Sequence, residues 1–127
     1  MTDTAAAIIA HQHPAMRRLL RSAIEAEGAT VLESGSLVEC LHQLANRRGR
    51  ALVLDPRLVA EAGQRQSLRA LLITTSIPAV LFGLGPEQRG AARALGDLPF
   101  FYRLDDLDVV VRWVCGSLAS AATLCRW

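Results

Sequence analysis

The chain has no lysine, and it has very little aspartate over its first three quarters. All 14 of its strongly basic residues are arginine, and Asp55 is the only aspartate between Thr4 and Gly96. Both absences constrain function. Asp55 is therefore the acidic residue whose presence most needs an explanation.

Several motifs of enzymes and metalloproteins are also absent. The sequence has no G-x-S-x-G nucleophile elbow and no glycine-rich phosphate loop, so a small hydrolase or cofactor binder is disfavoured. The three cysteines, Cys40, Cys115 and Cys125, are odd in number and too widely spaced for a disulfide framework or a zinc site. We expect them to be buried or half-buried thiols, with Cys125 the most exposed.

Bulk composition indicates one folded domain over residues 1–127. Hydrophobic residues make up 51% and charged residues 20% of the chain, far from the composition of disordered segments. The formal net charge is only +2, and the arginines are scattered except over residues 17–21 and 47–50, so no nucleic-acid interface is expected. The apolar run Ala5–Ala10 is too short for a membrane span and lacks the basic leader of a signal peptide, which favours a cytoplasmic protein.

Apolar runs of strand length alternate with segments of helical periodicity. Strands are predicted over Ala5–Ala10, Ala29–Leu32, Ala51–Asp55, Pro78–Gly83 and Pro99–Leu104. Helices are predicted from Pro14 to Gly28, from the S-x-x-E box at Ser36–Glu39 to Asn46, in two pieces (Leu58–Ala62 and Leu68–Ile73) around Gly63, over Pro86–Leu95, and after Asp105 or Asp106. Alternation with strands that are apolar throughout predicts an α/β protein whose parallel sheet is covered on both faces.

Asp55 ends the third of these strands and is followed at once by Pro56. The carboxyl ends of parallel strands are where open α/β sheets bind ligands. A carboxylate buried there is costly unless a partner compensates its charge.

In their order and spacing, these residues resemble the receiver domain of two-component response regulators. The resemblance rests on the segment Ile8–Pro14 with the helix after it, on Leu52–Asp55, and on Ala94–Gly96 followed by Phe100 and Arg103. It implies a flavodoxin-like (βα)5 three-layer sandwich with a five-stranded parallel sheet, and it implies that Asp55 stands at the phosphoacceptor position.

The residues that hold magnesium in the family are replaced here. The resemblance places the family's acidic pair at His11 and Gln12, so an imidazole and an amide stand where two carboxylates would bind the ion. We expect magnesium binding to be weak or absent and phosphorylation of Asp55 to be slow or absent, and no other cofactor is predicted.

The phosphoryl-binding side of the pocket differs too. The family's hydroxyl residue corresponds to Gly83, its lysine to Arg103 and its switch aromatic to Phe100. Arg103 has two alternatives: it points inward and neutralises Asp55 with a bidentate guanidinium contact, or it points to solvent from the strand end.

We therefore interpret the chain as a non-enzymatic pseudo-receiver that acts by protein contact. The expected partners are a histidine kinase, a regulator or an assembly protein, and the resemblance implies homodimerisation through the face built from residues 86–125. The alternative is a working phosphoacceptor at Asp55 with altered metal use, in which His11 or His13 binds manganese or zinc. Trp113 is expected in the core, whereas Trp127, with Leu124 and Cys125, is expected to form an apolar end that docks on a partner.

Overall fold

The computed structural model describes residues 6–46, 48–59 and 61–124, with side-chain surroundings described as far as residue 119, and it contains a five-stranded parallel sheet. The strands are β1 (Ala6–Ala10), β2 (Thr30–Ser34), β3 (Ala51–Leu54), β4 (Ala79–Phe82) and β5 (Phe100–Phe101). Their order across the sheet is β2-β1-β3-β4-β5, and every neighbouring pair is parallel. This order confirms the predicted flavodoxin-like topology.

Five α-helices alternate with these strands. They are α1 (Pro14–Glu25), α2 (Leu37–Ala45), α3 (Ala62–Thr75), α4 (Arg89–Ala94) and α5 (Leu107–Leu124), with 3-10 turns at Pro56–Leu58, Pro86–Gln88 and Leu104–Asp106. Proline at the first position of α1 has no amide hydrogen to leave unpaired, as predicted. The Ser36 hydroxyl caps α2 by accepting from the Glu39 amide at 3.2 Å, although the Glu39 carboxylate reaches the Gly35 amide instead of closing the box on Ser36.

The core lies on both faces of the sheet, because alternate residues of the central strands point to opposite sides. Ala7, Ile9 and Val53 pack against the α1 and α5 side, with Val114 among their partners. The other face buries the alternating set, whose members are Ile8, Ala10, Leu37, Cys40, Leu44, Leu52, Leu54, Leu68 and Leu81. All residues of β1, β3 and β4 are buried, which is why their sequences read as unbroken apolar runs.

Two of the predicted elements differ from the structure. Gly63 does not separate two helical pieces: α3 runs through it, because Glu61 and Gln64 form a reciprocal capping box that begins the helix before the glycine. The fifth strand is only Phe100–Phe101, shorter than the predicted Pro99–Leu104, because it lies at the sheet edge and pairs with just two residues of β4.

The side chains expected in the core are partly confirmed. Cys40 is buried, and the pKa of its thiol is raised to about 12. Burial is the larger cause and the negative charge of the nearby Glu39 is the smaller one. Cys115 and Trp113 are half-buried and pack against the core. Cys125 and Trp127 lie outside the described residues. Among the helices described, none combines the length and the apolar character that crossing a membrane requires.

Candidate functional site

Asp55 lies at the carboxyl end of β3, where the apolar run predicted it, and its side chain is 0% exposed. Its amide donates to the Ala10 carbonyl at 2.8 Å, which fixes the residue beside the end of β1. Its carboxylate accepts two backbone hydrogen bonds, from the Gln12 amide to Oδ2 at 3.2 Å and from the Arg57 amide to Oδ1 at 3.0 Å. The buried charge is therefore stabilised mainly by peptide dipoles of the two loops that flank it.

His11 is the side chain that contacts this carboxylate. It is also 0% exposed, and its Nδ1 lies 3.5 Å from Asp55 Oδ2. The same Nδ1 accepts the His13 amide at 3.1 Å, so in this arrangement it is the unprotonated nitrogen of the ring. The proton then belongs on Nε2, which has no hydrogen-bond partner among the described residues.

Burial keeps this imidazole neutral, because it lowers the pKa of His11 below the ordinary value of 6.5. The Asp55 charge and the nearby Phe82 carbonyl oppose that shift, whereas His13 and Arg17 reinforce it. The Phe82 carbonyl does not reach hydrogen-bond geometry with Nε2. At neutral pH an uncharged ring therefore faces the carboxylate with its unprotonated nitrogen, and it neither donates a hydrogen bond to Asp55 nor offsets its charge.

Gln12 and His13 do not complete a metal site around Asp55. Both are exposed, and His13 is engaged as the cap of α1, its Nδ1 accepting the Met16 amide at 3.4 Å. Among the described residues, no group of three histidine, cysteine or acidic side chains is placed to hold a metal ion. Asp55 is the only carboxylate of this donor set, and with an imidazole and an amide as its companions it supplies too few anionic oxygen ligands, so the residues present do not fit the magnesium that the resemblance implies.

Arg17 brings a positive charge to the same end of the sheet, and it was not among the predicted site residues. Its Nη1 donates to the His11 carbonyl at 2.6 Å, while its Nε lies 3.4 Å from the Glu33 carboxylate. Arg21 shares that carboxylate at 2.7 Å, and these contacts, led by the Arg21 hydrogen bond, lower the pKa of Glu33. An acidic residue on β2 and arginines spaced by four on α1 were the available signal.

The carboxyl end of β4 is filled by a second residue that sequence reasoning missed, Gln88. Its side chain is buried, and its Oε1 accepts the Leu84 amide at 2.5 Å. A Cβ atom at Gly83 would overlap this oxygen and would lie 3.0 Å from Phe100 Cε1. Gly83 thus stands where the resemblance placed it, but the space of its missing side chain is taken by Gln88, with Phe100 packed alongside.

Of the two predicted orientations of Arg103, the structure has the one that points to solvent. Its side chain is 66% exposed and its only described ion pair is a loose one, 3.9 Å from the exposed Asp105 carboxylate. It does not neutralise Asp55. The inward pairing fails because β5 ends two residues earlier, so Arg103 belongs to the turn that leads into α5.

No protein-family model matches the sequence, and no curated protein is significantly similar to it. Solved structures with the same fold are numerous. A receiver domain of a sensor histidine kinase from Pseudomonas aeruginosa, solved with magnesium in its active-site cleft, has a TM-score of 0.75 and 12% identity, with 91% of this chain and 98% of that chain covered. A response regulator receiver domain from Clostridium thermocellum has a TM-score of 0.73 and 14% identity over 94% and 98% of the two chains.

A sensor protein from Polaromonas has a TM-score of 0.71 and 17% identity, covering 91% of this chain and 97% of that one. At such low identity these similarities establish architecture over nearly the whole length of the compared domains. The strand order and the two-sided core agree with that architecture. The chain therefore has the fold of response regulator receiver domains.

Proposed function

We propose that this chain is a pseudo-receiver of two-component or phosphorelay signalling, acting as a protein-interaction module without magnesium-dependent phosphorylation of Asp55. The observation that carries the proposal is the surroundings of Asp55: a neutral buried ring and two backbone amides contact its carboxylate, and among the described residues no second acid joins it in a group that could hold a metal ion. Phosphoryl transfer relies on a metal ion or cationic groups to offset the charge of the transferred group. Among the described residues, no group of acidic side chains is placed to hold such a metal ion beside Asp55.

The cationic groups near the site do not replace the metal. Arg103 points to solvent, and Arg17 is bound to the His11 carbonyl and the Glu33 carboxylate. Neither is placed to hold a phosphoryl group on Asp55. Arg17 instead adds positive charge that disfavours a divalent cation at the same edge.

The interaction surface we assign is the face built from residues 86–125, as far as it is described. A cleft of about 190 Å³ lies between α4 and β5, where the apolar side chains Ala92, Leu98 and Phe100 meet Arg89 and Arg93. It is smaller than the clefts of about 300–1,000 Å³ that enclose drug-sized ligands, so it suits a side chain of a protein partner better than a free metabolite. Two arginines beside an apolar lining favour an acidic partner segment with an apolar anchor.

A histidine kinase, a regulator or an assembly protein could present such a segment, and a second copy of the chain could use the same face. We expect the variant Arg89→Glu/Arg93→Glu to weaken association without loss of the fold, since both side chains are exposed. Sedimentation equilibrium of the protein alone measures the dimer, and Arg69→Glu on the exposed side of α3 is the matched charge control.

The decisive experiment concerns Asp55. The protein is incubated with acetyl phosphate and magnesium and its intact mass is followed, with Asp55→Asn as the control. We expect no mass increase of one phosphoryl group in either protein. A stoichiometric adduct in the wild type that is absent from Asp55→Asn would refute the proposal.

A further inference from the structure

Gln88 is a buried polar side chain that the pocket around Asp55 does not explain. It is only 7% exposed, although glutamine is usually found at the surface. Burying an amide is costly unless its polar atoms are hydrogen-bonded. Gln88 meets this requirement through Oε1, which accepts the Leu84 amide at 2.5 Å across the short loop that carries both residues.

The three residues Gly83, Gln88 and Phe100 fit one another. The glutamine oxygen takes the space that any side chain at position 83 would need, and the Phe100 ring borders the same space. The Gly83 amide donates to the Phe101 carbonyl at 2.8 Å, so the end of β4 is tied to β5 at this point. Moving Gln88 out would remove the acceptor of the Leu84 amide and would empty the space that the Phe100 ring borders.

Leu84 is the second residue after β4, so its amide belongs to the loop at the same edge of the sheet as Asp55. β3 and β4 are adjacent and in parallel register, Leu54 opposite Leu81, and adjacent strands are about 4.8 Å apart. Asp55 and Gly83 are the residues that follow these strands. Backbone amides at this edge are natural donors to an anionic oxygen, and Gln88 supplies a neutral oxygen in the same place.

We propose that Gln88 is an intramolecular occupant of an anion-binding position at the carboxyl end of β4, and that it holds the loop of residues 83–88 and the Phe100 ring in one conformation. The glutamine oxygen takes the donor that an incoming oxyanion would use. The cleft between α4 and β5, which Phe100 lines, is then kept in one shape without any bound group. The inference extends the proposed function, but it does not depend on whether Asp55 can be phosphorylated.

Hydrogen exchange at the Leu84 amide tests the contact directly. Gln88→Met keeps the volume but removes the acceptor, and Gln88→Ala removes both, whereas Glu87→Gln alters the exposed neighbour and is the control. We expect Leu84 to exchange about ten times faster in both Gln88 variants and unchanged in Glu87→Gln, as the loss of one buried hydrogen bond predicts. Only Gln88→Ala should also shift the Phe100 ring resonances strongly. Equal Leu84 protection in all four proteins would overturn the proposal.

A double-mutant cycle in stability provides an independent test of the occupied space. Gly83→Ser should raise the unfolding equilibrium constant by more than tenfold in the wild type, because its Cβ meets Gln88. In the Gln88→Ala background the same change should cost much less. An equal cost in both backgrounds would contradict the inference. A phosphoryl adduct on Asp55 would refute the proposed function and leave both of these results standing, so the two proposals can fail separately.

Discussion

The two sides of the Asp55 pocket replace charged chemistry in different ways. On the β1 side, His11 contacts the carboxylate and keeps a titratable ring whose Nε2 has no partner among the described residues. On the β4 side, Gln88 fills the space with a neutral amide whose oxygen is hydrogen-bonded. The comparison shows that one side of the pocket remains responsive to protons, whereas the other is closed by a group that does not titrate.

The difference has a structural origin. His11 follows β1 directly, so its ring lies at the buried edge of the sheet, and its contacts are set by the groups already present there. Gln88 lies on a 3-10 turn five residues after Gly83, and its longer side chain folds back into a space that a glycine leaves open. A side chain attached to a strand end is forced into the pocket, while one on a loop can be fitted to it.

The largest expected effect comes from restoring acids on the β1 side. The variant His11→Asp/Gln12→Asp places one carboxylate in the buried position beside Asp55 and a second at the exposed position 12. We expect it to lose about 3 kcal/mol of stability in the absence of metal, because the new charge at position 11 is buried next to a like charge without compensation. Magnesium at about one hundred times its Kd should restore about 2.7 kcal/mol. Urea unfolding with and without magnesium measures both values.

Gln12→Asp alone is the control for that experiment, since position 12 is exposed and should tolerate the charge. A double variant that magnesium fails to stabilise would show that the β1 side lacks more than its carboxylates. If magnesium stabilised the wild-type protein, the β1 side of the pocket would bind the ion without added carboxylates, and the contrast between the β1 and β4 sides would be wrong.

The pH dependence of stability should arise on the β1 side only. The folded state lowers the pKa of His11, so the unfolded chain binds a proton first as the pH falls. The stability that His11 confers is therefore fully present above about pH 6.5, and it is lost progressively as the pH falls from there toward the lower folded pKa. Unfolding free energies between about pH 7.5 and about pH 5.5, one unit on either side of the ordinary histidine value, measure the slope.

His11→Asn should flatten this slope, because asparagine keeps a polar side chain but does not titrate. Gln88→Met should lower stability by the same amount at every pH in the range, since it changes no titratable group. Loss of stability at more acidic pH, below the ordinary carboxylate range, reports Glu33, whose pKa is lowered by Arg21 and Arg17, and it is expected in all of these proteins. An unchanged slope in His11→Asn would assign the dependence to another group.

The smallest effect is expected at Arg103. Arg103→Ala should change the free energy of unfolding by less than about 0.5 kcal/mol, because the side chain is exposed and its ion pair with Asp105 is loose. Arg17→Ala removes a hydrogen bond to the His11 carbonyl and a half-buried ion pair with Glu33, and should cost about 1.5 kcal/mol. Thermal unfolding of the two variants side by side checks the ranking, and an equal cost would mean that Arg103 has an inward partner in solution.

Much of the fold could be predicted, and particular residues show why. The unbroken apolar runs at Ile8–Ala10 and Leu52–Leu54 are of strand length and alternate with helical segments, which predicts central parallel strands and places Asp55 at the end of one of them. The capping box at Glu61 and Gln64 is an equally local signal. The break predicted at Gly63 was wrong, because the helix that this box begins continues through the glycine. The length of β5 could not be read from its apolar sequence, because pairing with β4 decides where an edge strand ends.

The candidate site was predicted less completely. His11, Gln12, Gly83 and Phe100 were placed at the correct edge, since each adjoins a strand whose position the pattern had set. The direction of Arg103 and the roles of Arg17 and Gln88 were not predicted, because each depends on a side chain meeting groups from another part of the chain. A glycine directly after a buried strand was the one signal in the sequence for a space that another side chain fills.

By itself, the sequence determined that a lone aspartate stands at the end of a buried strand without a second acid beside it, because hydrophobic periodicity and composition are properties of the chain alone. Only the tertiary structure decided what surrounds that aspartate. A neutral ring and two backbone amides contact its carboxylate, and after the next strand the Gln88 side chain fills the space left open at Gly83. The physical reason is range. Burial of a strand is fixed by its own residues, whereas compensation of a buried charge depends on groups that only folding brings within a few ångströms.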